Sequence, residues 1–158
     1  MSSAVYSPQT EINNVKKGIK IVTTVEVVES VKADINAVWG ILGNFGGLKV
    51  GGPITAFEIT GEGVGAVRKI TMGGADIVER LEAFNPEDFS FTYAIINEDC
   101  PLPVSNYSAS FKITPADDGC TVEWTGTFDP KGPEEAAMGV VRGIYEGAIG
   151  GAKKALEG

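Results

Sequence analysis

Six β-branched or alternating segments follow one another between residues 54 and 128, and the joints between them are short. Nothing else in the chain restricts its fold as much. The segments span roughly 54–60, 65–72, 75–84, 88–96, 104–114 and 119–128. Their joints are Gly61-Glu62-Gly63, Gly73-Gly74, Asn85-Pro86-Glu87-Asp88, a proline-bearing loop near 97–103, and Asp117-Asp118-Gly119. Such joints link antiparallel neighbours, because a parallel return needs a crossover of about a dozen residues. Residues 19–31 read as a further strand. Asp34 then suits an N-cap, and Ile35, Val38, Trp39 and Leu42 form one apolar helical stripe that ends at Gly43-Asn44. The spacing leaves room for one or two short helices there. Pro133 opens a final helix that runs to about residue 156. The order predicts an α+β fold in which the last helix, the longest apolar-faced element, covers an antiparallel sheet. Residues 1–18 read as a flexible tail, and residues 19–158 as a single domain.

The opposing faces of one hairpin hold the most informative pair. A turn centred on Gly73-Gly74 pairs residues whose numbers sum to 147, so Arg68 stands opposite Glu79 and Ile70 opposite Ile77. Lys69, Thr71, Asp76, Val78, Arg80 and Glu82 take the other face, which is the wet one. Arg68 and Glu79 therefore share the drier face with Ile70, Ile77 and Leu81. Two readings stay open. The pair is a structural ion pair, or it is the polar part of a cavity; burying it costs several kcal/mol per ion before attraction offsets the loss. Aromatic residues alternate on the strands that follow: Phe89, Phe91 and Tyr93, then Tyr107 and Phe111, then Trp124 and Phe128 beside Val122. Tyr93 and Tyr107 bring hydroxyls that want partners when buried. On the last helix the expected inner face is Ala137, Val141, Ile144, Tyr145, Ala148 and Ala152, with Gly139, Gly143 and Gly147 mostly opposite.

Composition removes several chemistries. The chain carries no histidine, so imidazole catalysis and most zinc sites are excluded. Neither a metal nor a cofactor is expected. Its net charge of −8, with scattered basic residues, argues against a nucleic-acid partner. Cys100 and Cys120 are expected as reduced thiols in the cytoplasm, since neither a signal peptide nor a spanning apolar run is evident. The glycine spacing in an otherwise charged helix points to a monomer or a weak homodimer rather than a membrane span. "GEGVGA" is not followed by a helix, so it lacks the amides and dipole of a dinucleotide loop.

The ordered motifs "VWGILGNF", "GEGVGAVRKI", "VERLEAF", "FTYAII", "NYSASFKI" and "CTVEWTGTF" resemble the START-like, or SRPBCC, superfamily over about residues 20–156. The nearest branches are the polyketide cyclase/dehydratase-like proteins and the lachrymatory-factor synthase. The resemblance implies a helix-grip fold, a curved seven-stranded antiparallel sheet around a long C-terminal helix with a pocket for a small hydrophobic molecule. It also implies functional roles for Arg68 and Glu79, a pocket-lining role for Glu79-Arg80-Leu81, and a loose match of Lys49 to a carboxylate-binding lysine of the abscisic-acid receptors. The receptor gate is replaced here by "MGGA", and "CPLPVS" stands where the second gate motif would be. The expected ligand-binding residues are Arg68, Ile70, Ile77, Glu79, Leu81, Phe91, Tyr93, Tyr107, Trp124, Val141, Tyr145 and Lys49. Two functions compete: a binding module for a small hydrophobic molecule, and a cyclase, dehydratase or isomerase using Arg68, Glu79 and Tyr107. A filled core with a purely structural role is the third.

Overall fold

A computed structural model describes residues 22–157. The expected tail and the first residues of the expected strand 19–31 lie outside the described residues. Strand β1 (Thr23–Val31) leads into helix α1 (Ile35–Leu42). Then come β2 (Ile54–Thr60), β3 (Val67–Met72), β4 (Ala75–Asn85), β5 (Ser90–Ile95), β6 (Val104–Ala116) and β7 (Gly119–Pro130). Helix α2 (Glu134–Leu156) closes the chain. The strands form one antiparallel seven-stranded sheet in the order β1-β7-β6-β5-β4-β3-β2.

The caps follow local chemistry. Asp34 accepts a hydrogen bond from the Asn36 amide at 2.9 Å, satisfying one of the open donors at the start of α1. Gly43 ends α1 for a steric reason, since a Cβ there would overlap the Trp39 ring. Its φ of −91° is not left-handed. The Gly73-Gly74 turn uses φ of 60° and 80°, which glycine adopts without penalty.

Helix α2 packs on β1, β7 and α1. Lys153 Nζ bridges to Glu29 Oε1 at 2.7 Å near one end, and Thr23 donates to Glu134 Oε2 at 2.7 Å near the other. The buried face of α2 is Ala137, Val141, Tyr145, Ile149 and Ala152. This corrects the expected phase: Ile144 is 39% exposed, Ala148 is only partly buried, and Ile149 is fully buried. The seat of the Tyr145 hydroxyl, described below, sets the rotation. The outer glycines Gly139, Gly143 and Gly147 face open space, as the wheel suggests.

Phe89 departs from the expected strand 88–96. Pro86–Asp88 form a 3-10 turn whose closure at 3.1 Å, from the Phe89 amide to the Pro86 carbonyl, puts Phe89 at a left-handed φ of 51°. Its ring packs edge-on against Trp39 instead of alternating with Phe91.

Candidate functional site

The β3–β4 register places Arg68 opposite Glu79, Ile70 opposite Ile77 and Met72 opposite Ala75. On the inner face Arg68 Nε–H donates to Glu79 Oε1 at 2.7 Å, and the two side chains are only 12% and 9% exposed. Arg68 Nη1–H donates to the Phe45 carbonyl at 3.1 Å, and Arg68 Cζ lies 4.1 Å from the centroid of the Phe45 ring. The Tyr93 ring lies 5.6 Å away. Two of the five guanidinium hydrogens are thus engaged. The other three, and Glu79 Oε2, have no hydrogen-bond partner among the described residues. A buried charge pair left partly unsatisfied in this way suits a ligand oxygen better than it suits stability.

Beside the ion pair runs a chain of hydroxyls. Tyr93 and Tyr107 share a hydrogen bond of 3.2 Å, and Tyr107 shares another with Tyr145. Trp124 Nε1–H donates to the Tyr93 oxygen at 3.1 Å. Indole only donates, so the Tyr93 oxygen must accept. Three hydroxyl protons serve two hydroxyl–hydroxyl contacts, which leaves one proton over for an external acceptor. Burial, then the charge of Glu79, pushes the Tyr93 phenol well above its usual range. Burial, followed by the neighbouring phenols, does the same for Tyr107, and burial followed by Tyr93 for Tyr145. All three therefore act as donors near neutral pH.

Local irregularities aim these groups. Asn106 takes a left-handed φ of 50° and the β6–β7 register shifts between Ser105 and Ser108. That bulge turns Tyr107 inward along with Val104 although the two differ in parity. On β7, Gly126 falls in the inward series between Trp124 and Phe128. A Cβ there would overlap the Tyr145 hydroxyl, so the glycine is the notch into which α2 inserts its phenol.

The structure joins Arg68, Glu79, Tyr93, Tyr107, Tyr145 and Trp124 into one contiguous polar and aromatic cluster. Phe91 and Val141 sit in the surrounding core. Ile70 and Ile77 belong instead to a separate apolar cluster with Cys100, nearer the Gly-Gly turn. Lys49 is exposed on the connection between α1 and β2, and it joins neither the cluster nor either depression described next. One depression of about 440 Å³ is lined by Trp39, Phe45, Ile59, Ala66, Leu81 and Phe84 among others. Another of about 450 Å³ reaches Tyr107, Asn106 and Lys131. Arg68 and Glu79 line neither; Phe45 stands between the first depression and the pair. Phe45 and Gly126 escaped sequence reasoning. Each left a trace: one aromatic set among glycines in "GNFGG", and one glycine in an inward series of large residues.

Known proteins share this fold. The protein XoxI from Bacillus cereus has a solved structure that is 30% identical, with a TM-score of 0.72, and the match covers 87% of this chain and 96% of that one. Norcoclaurine synthase from Thalictrum flavum shares the fold at 17% identity, with a TM-score of 0.67 and coverage of 97% and 94%. The carrot (Daucus carota subsp. sativus) allergen Dau c 1.0401 is 36% identical over 83 residues, covering 46% of this chain. The chain spans about half the length of the curated relatives it matches, 54% of the allergen. No helix among the described residues is long and apolar enough to cross a membrane. The model of the polyketide cyclase/dehydrase and lipid transport family matches residues 22–157, nearly everything from β1 to the end of α2, and the chain belongs to that family within the START-like superfamily.

Proposed function

We infer that this chain binds a small hydrophobic molecule bearing a carbonyl or acidic oxygen, as a carrier or sensor, between the sheet and its covering elements. The observation that carries the reading is the Arg68–Glu79 pair, buried on an aromatic inner face with guanidinium hydrogens and a carboxylate oxygen unsatisfied. Family membership supports ligand binding in general terms. Arg68 supplies the anchor and the tyrosine chain supplies one further donor. Isothermal calorimetry with 2-naphthoate tests it. Arg68→Ala is expected to weaken binding about ten- to a hundredfold, since a hydrogen bond to a charged group is worth about 1.5–3 kcal/mol. Unchanged affinity in this variant would remove Arg68 from the site.

A second reading rests on the free Glu79 oxygen and the surplus hydroxyl proton of the neighbouring tyrosine chain. It is a cyclase, dehydratase or isomerase in which Glu79 moves a proton while Arg68 and the phenols stabilise developing negative charge. Glu79→Gln separates the two. In the carrier reading it spares binding and nothing further changes. In the enzyme reading it abolishes turnover while leaving affinity nearly intact.

A further inference from the structure

The guanidinium face that should anchor a ligand is already covered, and the cover comes from the same chain. Phe45 presents two features to Arg68 at once: a ring 4.1 Å from Cζ and a carbonyl oxygen 3.1 Å from Nη1. An aryl ring carrying a carbonyl or carboxylate oxygen would present the same two features. The ring's other neighbours are flat as well, with the Phe91 and Tyr93 centroids 6.4 and 6.5 Å away. We propose that Phe45 is an internal stand-in for the ligand, and that an aromatic compound bearing a carbonyl or carboxylate oxygen binds by displacing it. This rests on the binding reading above and adds the ligand class and the route.

The position of Phe45 supplies the route. It is 5% exposed, yet it lines the outer depression of about 440 Å³. It is therefore the partition between an open apolar cleft and the buried polar face. The segment that carries it, Gly43 to Gly47, is neither helix nor strand; the Gly43 amide bonds back to the Trp39 carbonyl at 2.8 Å and the Gly47 amide to the Asn44 carbonyl at 3.1 Å. Among the described residues, nothing in its backbone bonds to the sheet except the Phe45 carbonyl, which accepts from Arg68. Withdrawing the ring joins the cleft to Arg68 and frees the guanidinium face in one movement. A tethered occupant competes at high effective concentration, so the apparent affinity of any ligand is lowered until it leaves.

The test titrates 2-naphthoate and its saturated analogue, decahydronaphthalene-2-carboxylate, into the full chain and three variants: Phe45→Ala, Phe45→Leu, and Phe45→Ala combined with Arg68→Gln. Phe45→Ala is expected to bind 2-naphthoate about tenfold more tightly than the parent, the scale of a desolvated cation–π contact, with a smaller gain for the saturated acid. The gain should vanish in the Arg68→Gln background. Phe45→Leu keeps apolar volume in the core while losing the π face, and it decides the matter if the alanine variant fails to fold. Its expected gain is smaller but in the same direction. Equal, measurable affinity in the parent and both single variants overturns displacement while the binding reading stands. Absence of binding in every protein overturns both.

Discussion

The inner face of the sheet is closed in two different ways. Along β1 and β7 it lies under α2, a 23-residue helix pinned by Lys153–Glu29 and Thr23–Glu134. There the packing is dense: Trp124 stacks on Tyr145 at 4.6 Å and 11°, and Phe111 meets Trp124 edge-on at 5.1 Å. Over β3 and β4 the cover is Phe45 and the glycine-rich segment around it, and the face beneath holds an ion pair. One half has the character of a core. The other holds a partly unsatisfied ion pair under a segment that is neither helix nor strand.

This contrast orders the expected effects of mutation. In the helix-covered half, Trp124→Ala should cost about 3–5 kcal/mol of stability by urea unfolding, since it opens a cavity and removes the donor to Tyr93. A loss below about 1 kcal/mol would put the two halves on the same footing. In the loop-covered half, the double variant Arg68→Met with Glu79→Leu should leave stability unchanged or raise it by about 1–4 kcal/mol, while 2-naphthoate binding is lost. Clear destabilisation would make the pair a structural element and erase the contrast.

The smallest effect belongs to the seam between the halves, where the three phenols meet. Their folded pKa values lie above the ordinary value of 10.0. Below pH 10 both folded and unfolded chains keep these protons, so nothing changes. Above it the unfolded chain releases them first, binds fewer protons, and stability falls as pH rises. Each phenol's contribution to that decline rises toward about 1.4 kcal/mol per pH unit well above pH 10. In unfolding measurements, Tyr107→Phe should remove about 1 kcal/mol of the stability lost between pH 10 and 11, where the unfolded phenol goes from half to mostly ionised. An unchanged slope would mean that Tyr107 ionises as freely in the fold as outside it.

The sequence revealed most where a local rule sets a long-range result. Two glycines fix the β3–β4 register, so the opposition of Arg68 and Glu79 followed from counting. Short joints gave the seven antiparallel strands in the same way. The rest depended on tertiary contacts that leave no period behind. Ile144 and Ile149 are equally apolar, and only the docking of α2 decides which is buried. The left-handed turn at Phe89 comes from closing a turn after Pro86, and alternation hid it. Phe45 belongs to no stripe, and only the folded chain brings its ring onto Arg68. Lys49 matched a family position only loosely, and it is exposed on the connection between α1 and β2.

The notch at Gly126 has a mechanical consequence for the whole molecule. Helix α2 is poor in large apolar residues and carries five glycines between Glu134 and Leu156, so a greasy stripe alone would seat it in several rotations. Tyr145 works as a key and Gly126 as its keyway, because the hydroxyl lies over the one glycine in the inward series of β7. A methyl group at residue 126 would overlap the Tyr145 hydroxyl and force it out of the notch, away from the end of the hydroxyl chain. The alignment of a 23-residue rod is thus held to tolerance by the absence of one carbon atom.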